Sequence, residues 1–343
     1  MKARGGFISV VCLIVMAVLM VMVLYLEYIT GLEHLILNST INNIQSYYLA
    51  EGKIYMILNE DKYYCNQLYP ILVEYFRTMP YSRSPRDIII EKEDLELGDN
   101  VDRVGVAIID RGSKKDLELM AKSNFNGLKT ILKSDIKLFN EIVEMEISVL
   151  DTDSIEIEYK EKLKDLLLNV SKKINIKNCN KPNNIYGIDL ADFNNIVLDN
   201  GGNNNFKISA FRDTMLVPYI EIFNDKEIFI IVRSSDEYST NFFIGSTDTP
   251  NQIIKLSGII YVEGNITISK DFQFNGIIIV KNGDIKINHD VKIDIKGVAI
   301  LDNIINNDFL ENPNMFYNRH SVYKYGIYLP GFIETKIDSI KIN

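Results

Sequence analysis

Residues 7–26 read FISVVCLIVMAVLMVMVLYL, 20 positions without one charged side chain. As a helix this run is about 30 Å long, the thickness of a bilayer's hydrocarbon core. A spanning segment must satisfy its own backbone, so helix is the only form open to it. Lys2 and Arg4 precede the run with no acid among them, Glu27 is the first charge after it, and Tyr25 and Tyr28 fall where an outer interface would lie. The basic flank predicts a cytoplasmic N-terminus with the bulk of the chain outside, as a single-pass cell-membrane protein. The competing reading is a cleaved secretory signal, whose apolar region usually spans about 7–15 residues and ends in small residues. Here the run is longer and continues into Tyr-Leu-Glu-Tyr-Ile-Thr.

The helical pattern continues past the run. Leu37, Ile41, Ile44, Tyr48, Tyr55 and Leu58 recur at steps of three, four or seven through a proline-free segment. That spacing predicts one apolar stripe on a transmembrane and stem helix covering 7–62, anchored by the segment from Phe7 through Val11 to Leu26.

Two stretches of this region carry a resemblance. Met1-Lys-Ala-Arg-Gly-Gly6, followed by Phe7 and a long apolar helix, resembles a type IV prepilin leader. Ile44-Gln-Ser-Tyr-Tyr-Leu-Ala-Glu51-Gly resembles the Ala-Glu segment closing the N-terminal helix of PilX-type minor pilins. The resemblance covers roughly residues 1–58. It implies a leader over 1–6, cleavage after Gly6 by a prepilin peptidase, and N-methylation of Phe7. It also implies partners: other pilins along the N-terminal helix, through Leu37, Ile41, Ile44, Tyr48 and Glu51, and the pilus assembly machinery. The chain departs from the pattern at the fifth mature position, where most pilins carry glutamate and this sequence has Val11. K-type pseudopilins share that departure and are placed at filament tips, so the resemblance implies a tip, initiating or assembly role.

Formal net charge is −9. An acidic surface repels phosphate backbones, which argues against nucleic acid as a partner. Residues 63–180 read as a mixed, mainly helical region. Pro70, Pro80 and Pro85 break helices, Arg86–Ile90 and Val104–Ile109 read as short strands, and two helices are expected over 113–149 and 155–174. The first of these helices rests on Leu117, Leu119, Met120, Leu128, Leu132, Ile136 and Ile142. A strand-rich linker over 181–256 follows, opening on asparagine-rich sequence that includes Asp199-Asn-Gly-Gly-Asn-Asn-Asn205 and reads as a surface turn. Cys65 and Cys179 either pair across a long loop or stay separate thiols; spacing alone does not choose.

The C-terminal region 257–343 is organised by a repeat. Segments opening at Gly258, Gly276 and Gly297 begin 18 and 21 residues apart, each with an apolar strand, and the first two continue through a polar turn into a second, alternating strand. A unit of about 20 residues that cannot bury its own face implies stacked coils, as in a parallel β-solenoid with a C-terminal cap; an antiparallel meander gives similar spacing. Phe272–Phe274 and Val291–Ile295 would fill a third side, Glu227–Val232 and Phe242–Ile244 would supply earlier strands, and 323–329 with 332–337 would cap the end. The repeat resembles bactofilin-type solenoids. The fold class expected is thus α+β: a long N-terminal helix, an α-rich middle and a C-terminal solenoid-like domain.

No phosphate loop, dinucleotide fingerprint, metalloprotease motif or paired-cysteine zinc pattern is present. His34, His289 and His320 are far apart in sequence, and Asp284, Asp290 and Asp294 have no spacing that fixes a glycosidase pair. No catalytic residue, metal or cofactor is expected. The function implied is a non-enzymatic minor pilin-like subunit; the runner-up is a membrane-anchored extracellular binding or adhesion module, and a polysaccharide-cleaving solenoid stands third.

Overall fold

The computed structural model describes residues 3–78, 86–112, 114–176, 185–202, 205–212, 217–224, 227–234, 240–246, 252–302, 309 and 314–342. Helix α1 (Ala3–Asn59) carries the apolar run and the stem in one piece, the stretch from Phe7 being long and apolar enough to cross a membrane. Glu60 breaks it in extended conformation. A short α2 (Asp61–Tyr63), a π-helical turn (Tyr64–Leu68) and α3 (Tyr69–Thr78) follow.

The strands, in order, are β1 (Arg86–Ile89), β2 (Arg103–Arg111), β3 (Lys114–Phe125), β4 (Leu128–Phe139) and β5 (Val149–Asp151), then helix α4 (Ile157–Lys173). After α4 come β6 (Tyr186–Ala191), β7 (Asn195–Gly202), β8 (Asn205–Phe211), β9 (Ile220–Asn224), β10 (Glu227–Arg233) and β11 (Thr240–Ile244). The chain ends with β12 (Ile254–Ile268), β13 (Phe272–Lys281), β14 (Ile285–Ile287), β15 (Ile293–Leu301), β16 (Met315–Phe316), helix α5 (Arg319–Gly326) and β17 (Ile333–Ile342).

The middle of the chain is helix-poor, and the helix expected over 113–149 is a β-hairpin. β1 to β4 form an antiparallel sheet in the order β1-β2-β3-β4-β17. Leu117, Leu119, Ala121 and Ser123 on β3, and Thr130, Leu132, Ser134, Ile136 and Leu138 on β4, are buried on one face. That is a period of two, which only a strand turns to one side. Asn126 (φ 48°) and Gly127 (φ 84°) make the turn between them, the left-handed pair that two-residue hairpins favour. The helix expected over 155–174 is α4, with Leu163, Leu166, Leu167 and Val170 buried.

The repeats pair in parallel, not as an antiparallel meander. One ladder runs β6-β10-β12-β13-β15, with β16 beside β15, and aligns Ile228 with Gly258, Gly258 with Gly276, and Gly276 with Gly297. A second ladder stacks β7, β11, the last part of β12 and β14. The sheets remain open. The glycine spacing has a steric cause. A Cβ on Gly276 (φ 156°) would lie 1.9 Å from the Gly258 carbonyl oxygen, and one on Gly297 would lie 1.8 Å from that of Gly276. Backbone of one strand therefore sits where the next would place a side chain.

The apolar runs that follow these glycines are buried along their whole length because both faces are covered. Ile260, Val262, Ile278, Val280, Ala299 and Leu301 face the space between the ladders, with Ile266, Phe272 and Phe242. Their neighbours Ile259, Tyr261, Ile277, Ile279, Val298 and Ile300 pack under α4 and α5. A strand buried on both sides needs no polar alternation. The asparagine-rich stretch is in part ordered as β6, β7 and the β7–β8 hairpin; its residues 177–184 and 203–204, Cys179 included, lie outside the described residues, so the Cys65 pairing does too.

The segment expected to cap the coils does something else. Residues 319–326 form α5 against the outer face of the parallel sheet, and β17 crosses to the antiparallel sheet to pair with β4. Tyr323 stacks on Phe139 at 4.1 Å and meets Phe76 of α3 edge-on, tying α5 to the antiparallel core.

Candidate assembly surface on the stem helix

The head grips the stem along one face only. Ser46, Leu49, Ala50, Lys53, Ile54 and Ile57 are buried against β3, β4 and the loop after β1. Burial of Ile54 and Ile57 contributes roughly 1.5–3 kcal/mol each. The polar contacts within the joint are specific. Ser46 and Ser123 share a hydroxyl hydrogen bond of 2.7 Å, and the Asn126 amide donates to Asn42 at 3.1 Å. Lys53 reaches inward to Asp99 at 2.6 Å and donates to the Lys122 carbonyl at 2.7 Å and to that of Val101. Burial lowers the Lys53 ammonium from its usual range, and the Asp99 carboxylate opposes that only in part. Asp99 in turn accepts from the backbone amides of Val101 (3.0 Å) and Asn124 (3.3 Å).

The stripe read from the sequence is on the other side. With about 100° between successive residues, Leu37, Ile41, Ile44, Tyr48 and Tyr55 fall within about 60° of one another, roughly opposite Ser46, Ala50 and Lys53. All five are exposed, Leu37 and Ile41 at 59% and Tyr48 at 62%. Glu51, on the same face, is half-buried, and Leu58 is drawn partly into the head core. The stripe is therefore a solvent-facing seam spaced 4, 3, 4 and 7, the heptad rhythm of helix-on-helix packing.

Below the head most of the helix is exposed. From Glu27 to Ile41, about 23 Å of helix, Tyr28, Leu32, Leu35, Ile36, Leu37 and Ile41 are exposed, and they project on several sides. Glu27, Glu33, His34 and Asn38 lie among them, so the segment is mixed, and its exposed apolar residues are surface of the kind a bundle or lipid covers. Phe7, Val11 and Leu26 are exposed in the same way along the membrane run, and Gly6 lies within α1. The sequence-predicted residues thus share one helix and, above the membrane run, one face.

Elsewhere the acidic residues singled out in the sequence stand in separate local settings. Asp199 and Lys270 form a buried pair at 3.1 Å. Asp290 is a turn residue at φ 68°, Asp284 accepts from the Ile285 amide at 2.8 Å, and Asp294 lies 4.0 Å from Lys296. Among the described residues no three His, Cys, Asp or Glu side chains gather as a metal site. Comparison of the chain with protein-family models, with curated proteins and with solved structures finds no match.

Proposed function

We propose that this chain is a non-enzymatic, minor pilin-like component of a type IV filament, working at the tip, in initiation or in assembly. The observation carrying the reading is the stem: one face is committed to its own head, while the opposite seam and the exposed 27–41 segment leave apolar surface of the kind that lipid or other helices would cover. Such a helix is built to enter a bundle. Rigid attachment supports the same reading, because the lower edge of the head is fixed to the stem by Asn42, Ser46 and Lys53 rather than hung from a linker. Val11 supports a minor role. A shaft subunit repeated many times needs a carboxylate to balance the charged amine that each neighbour would bury in lipid, and this chain lacks one there. In this reading the N-terminus is cytoplasmic, the head is extracytoplasmic, and a prepilin peptidase cuts between Gly6 and Phe7. The stacked parallel ladders support a β-solenoid as the displayed part. Intact mass spectrometry of protein from cells with an active prepilin peptidase tests the proposal. A chain beginning at methylated Phe7 is expected; one retaining Met1 to Gly6 refutes it.

A further inference from the structure

Glu51 stands on the exposed seam, one turn from Tyr48 below and from Tyr55 above. It makes no hydrogen bond or ion pair among the described residues; after burial, it is the Glu51 carboxylate that most raises the nearby Tyr47 phenol. A carboxylate enclosed in a helix seam is costly unless a cation meets it. The stem cannot supply that cation to a second copy. From Glu27 to Asn59 its only basic side chains are His34 and Lys53. Lys53 is buried on the opposite face against Asp99, and His34 lies 17 residues below Glu51. Two copies held in one bilayer sit at matching heights, so Glu51 would face Glu51. Bringing His34 level with it would lift one membrane run by about 26 Å.

We infer that the seam is built for the stem of a different chain: a parallel helix with apolar residues at the same three-and-four spacing and a lysine or arginine across from Glu51. The inference rests on the assembly reading above and names the partner's chemistry. One polar position within an apolar seam fixes register and excludes wrong partners, here including the chain itself.

The test uses the full chain in membranes, with wild type and Glu51→Lys carrying different tags, coexpressed and captured from mild detergent. Position 51 is far enough from the membrane run to leave insertion unaffected. The mixed pair is expected to be captured about tenfold better than either like pair, which corresponds to about 1.4 kcal/mol. Equal capture of wild type by wild type, or a mixed pair no better than the like pairs, overturns the inference. If Glu51→Lys alters the unfolding midpoint, Glu51→Gln replaces it: relief of repulsion should raise its self-capture above that of wild type, and no rise overturns the inference. The intact mass of the captured chains separately reports cleavage at Gly6, so failure of the filament reading is distinguishable from failure of the pairing rule.

Discussion

Lys53→Met removes the one charged group with which the stem enters the head. Methionine preserves most of the length and apolar contact but none of the three polar contacts to Asp99, Val101 and Lys122. Breaking a buried pair from one side costs about 3–5 kcal/mol, because the remaining charge is stranded. Asp99 keeps its two backbone amide donors, so the expected loss is near the lower end, about 3 kcal/mol. Against a typical urea dependence of about 2–3 kcal/mol per molar, that lowers the midpoint by about 1 M. The chain has no tryptophan, so far-ultraviolet circular dichroism of the detergent-solubilised protein is the natural readout. Adding Asp99→Asn should return most of the loss, since a pair removed from both sides leaves no orphaned charge. The pH response has a definite sign. With its folded value below 10.5, Lys53 binds fewer protons folded than unfolded in the window beneath 10.5, so its contribution rises with pH there, and the methionine variant should lack that rise. A Lys53→Met midpoint indistinguishable from wild type, or a double variant no better than the single, refutes the reasoning.

Gly276→Ala forces a Cβ to within 1.9 Å of a backbone oxygen at φ 156°; a loss of roughly 3 kcal/mol or more is expected in the same unfolding assay. Ile54→Ala, on the gripped face, should cost about 2–5 kcal/mol, whereas Ile44→Asp, on the seam, should leave stability within about 0.5 kcal/mol and abolish capture of the wild-type and Glu51→Lys mixed pair proposed above. Burial would raise the Asp135 carboxyl, but hydrogen bonds from Lys341, Arg111 and Ser339 outweigh it and hold the group down to about 2. Its contribution, about 2 kcal/mol, is present above 3.8 and lost as pH falls through 2; Asp135→Asn should flatten that part of an acid titration followed by circular dichroism.

What the sequence discloses depends on whether a period has one physical explanation. The membrane run and the continuous stem were legible because twenty uncharged residues have a single comfortable state. The glycines of the repeat are legible as a pattern, while their cause, a carbonyl of one strand occupying the Cβ position of the next, appears only once the strands are paired. The hairpin of β3 and β4 reads as helix because Leu117, Met120 and Leu128 satisfy a helical count as well, among lysines and glutamates that favour helix. Asn126-Gly127 was the signal that could have corrected it. On the stem the spacing located the stripe, but not the second, less apolar face carrying Ser46, Ala50 and Lys53 that the head selects. A buried lysine and a buried serine leave no hydrophobic trace. Nor could local pattern show that 333–342 leaves the parallel sheets to pair with β4, since that register is set by a partner far away in sequence.

That distant partner sets a timetable. Glu334 at the start of β17 bonds to Asn140 from 194 positions downstream, so the floor beneath the stem keeps a raw margin along β4 until residues 333–342 have been synthesised. The first helix emerges early, and closure of the platform it rests on waits for those residues. In the interval an unpaired strand and a greasy rod stand side by side, a state in which a chaperone or a waiting neighbour would find its easiest hold.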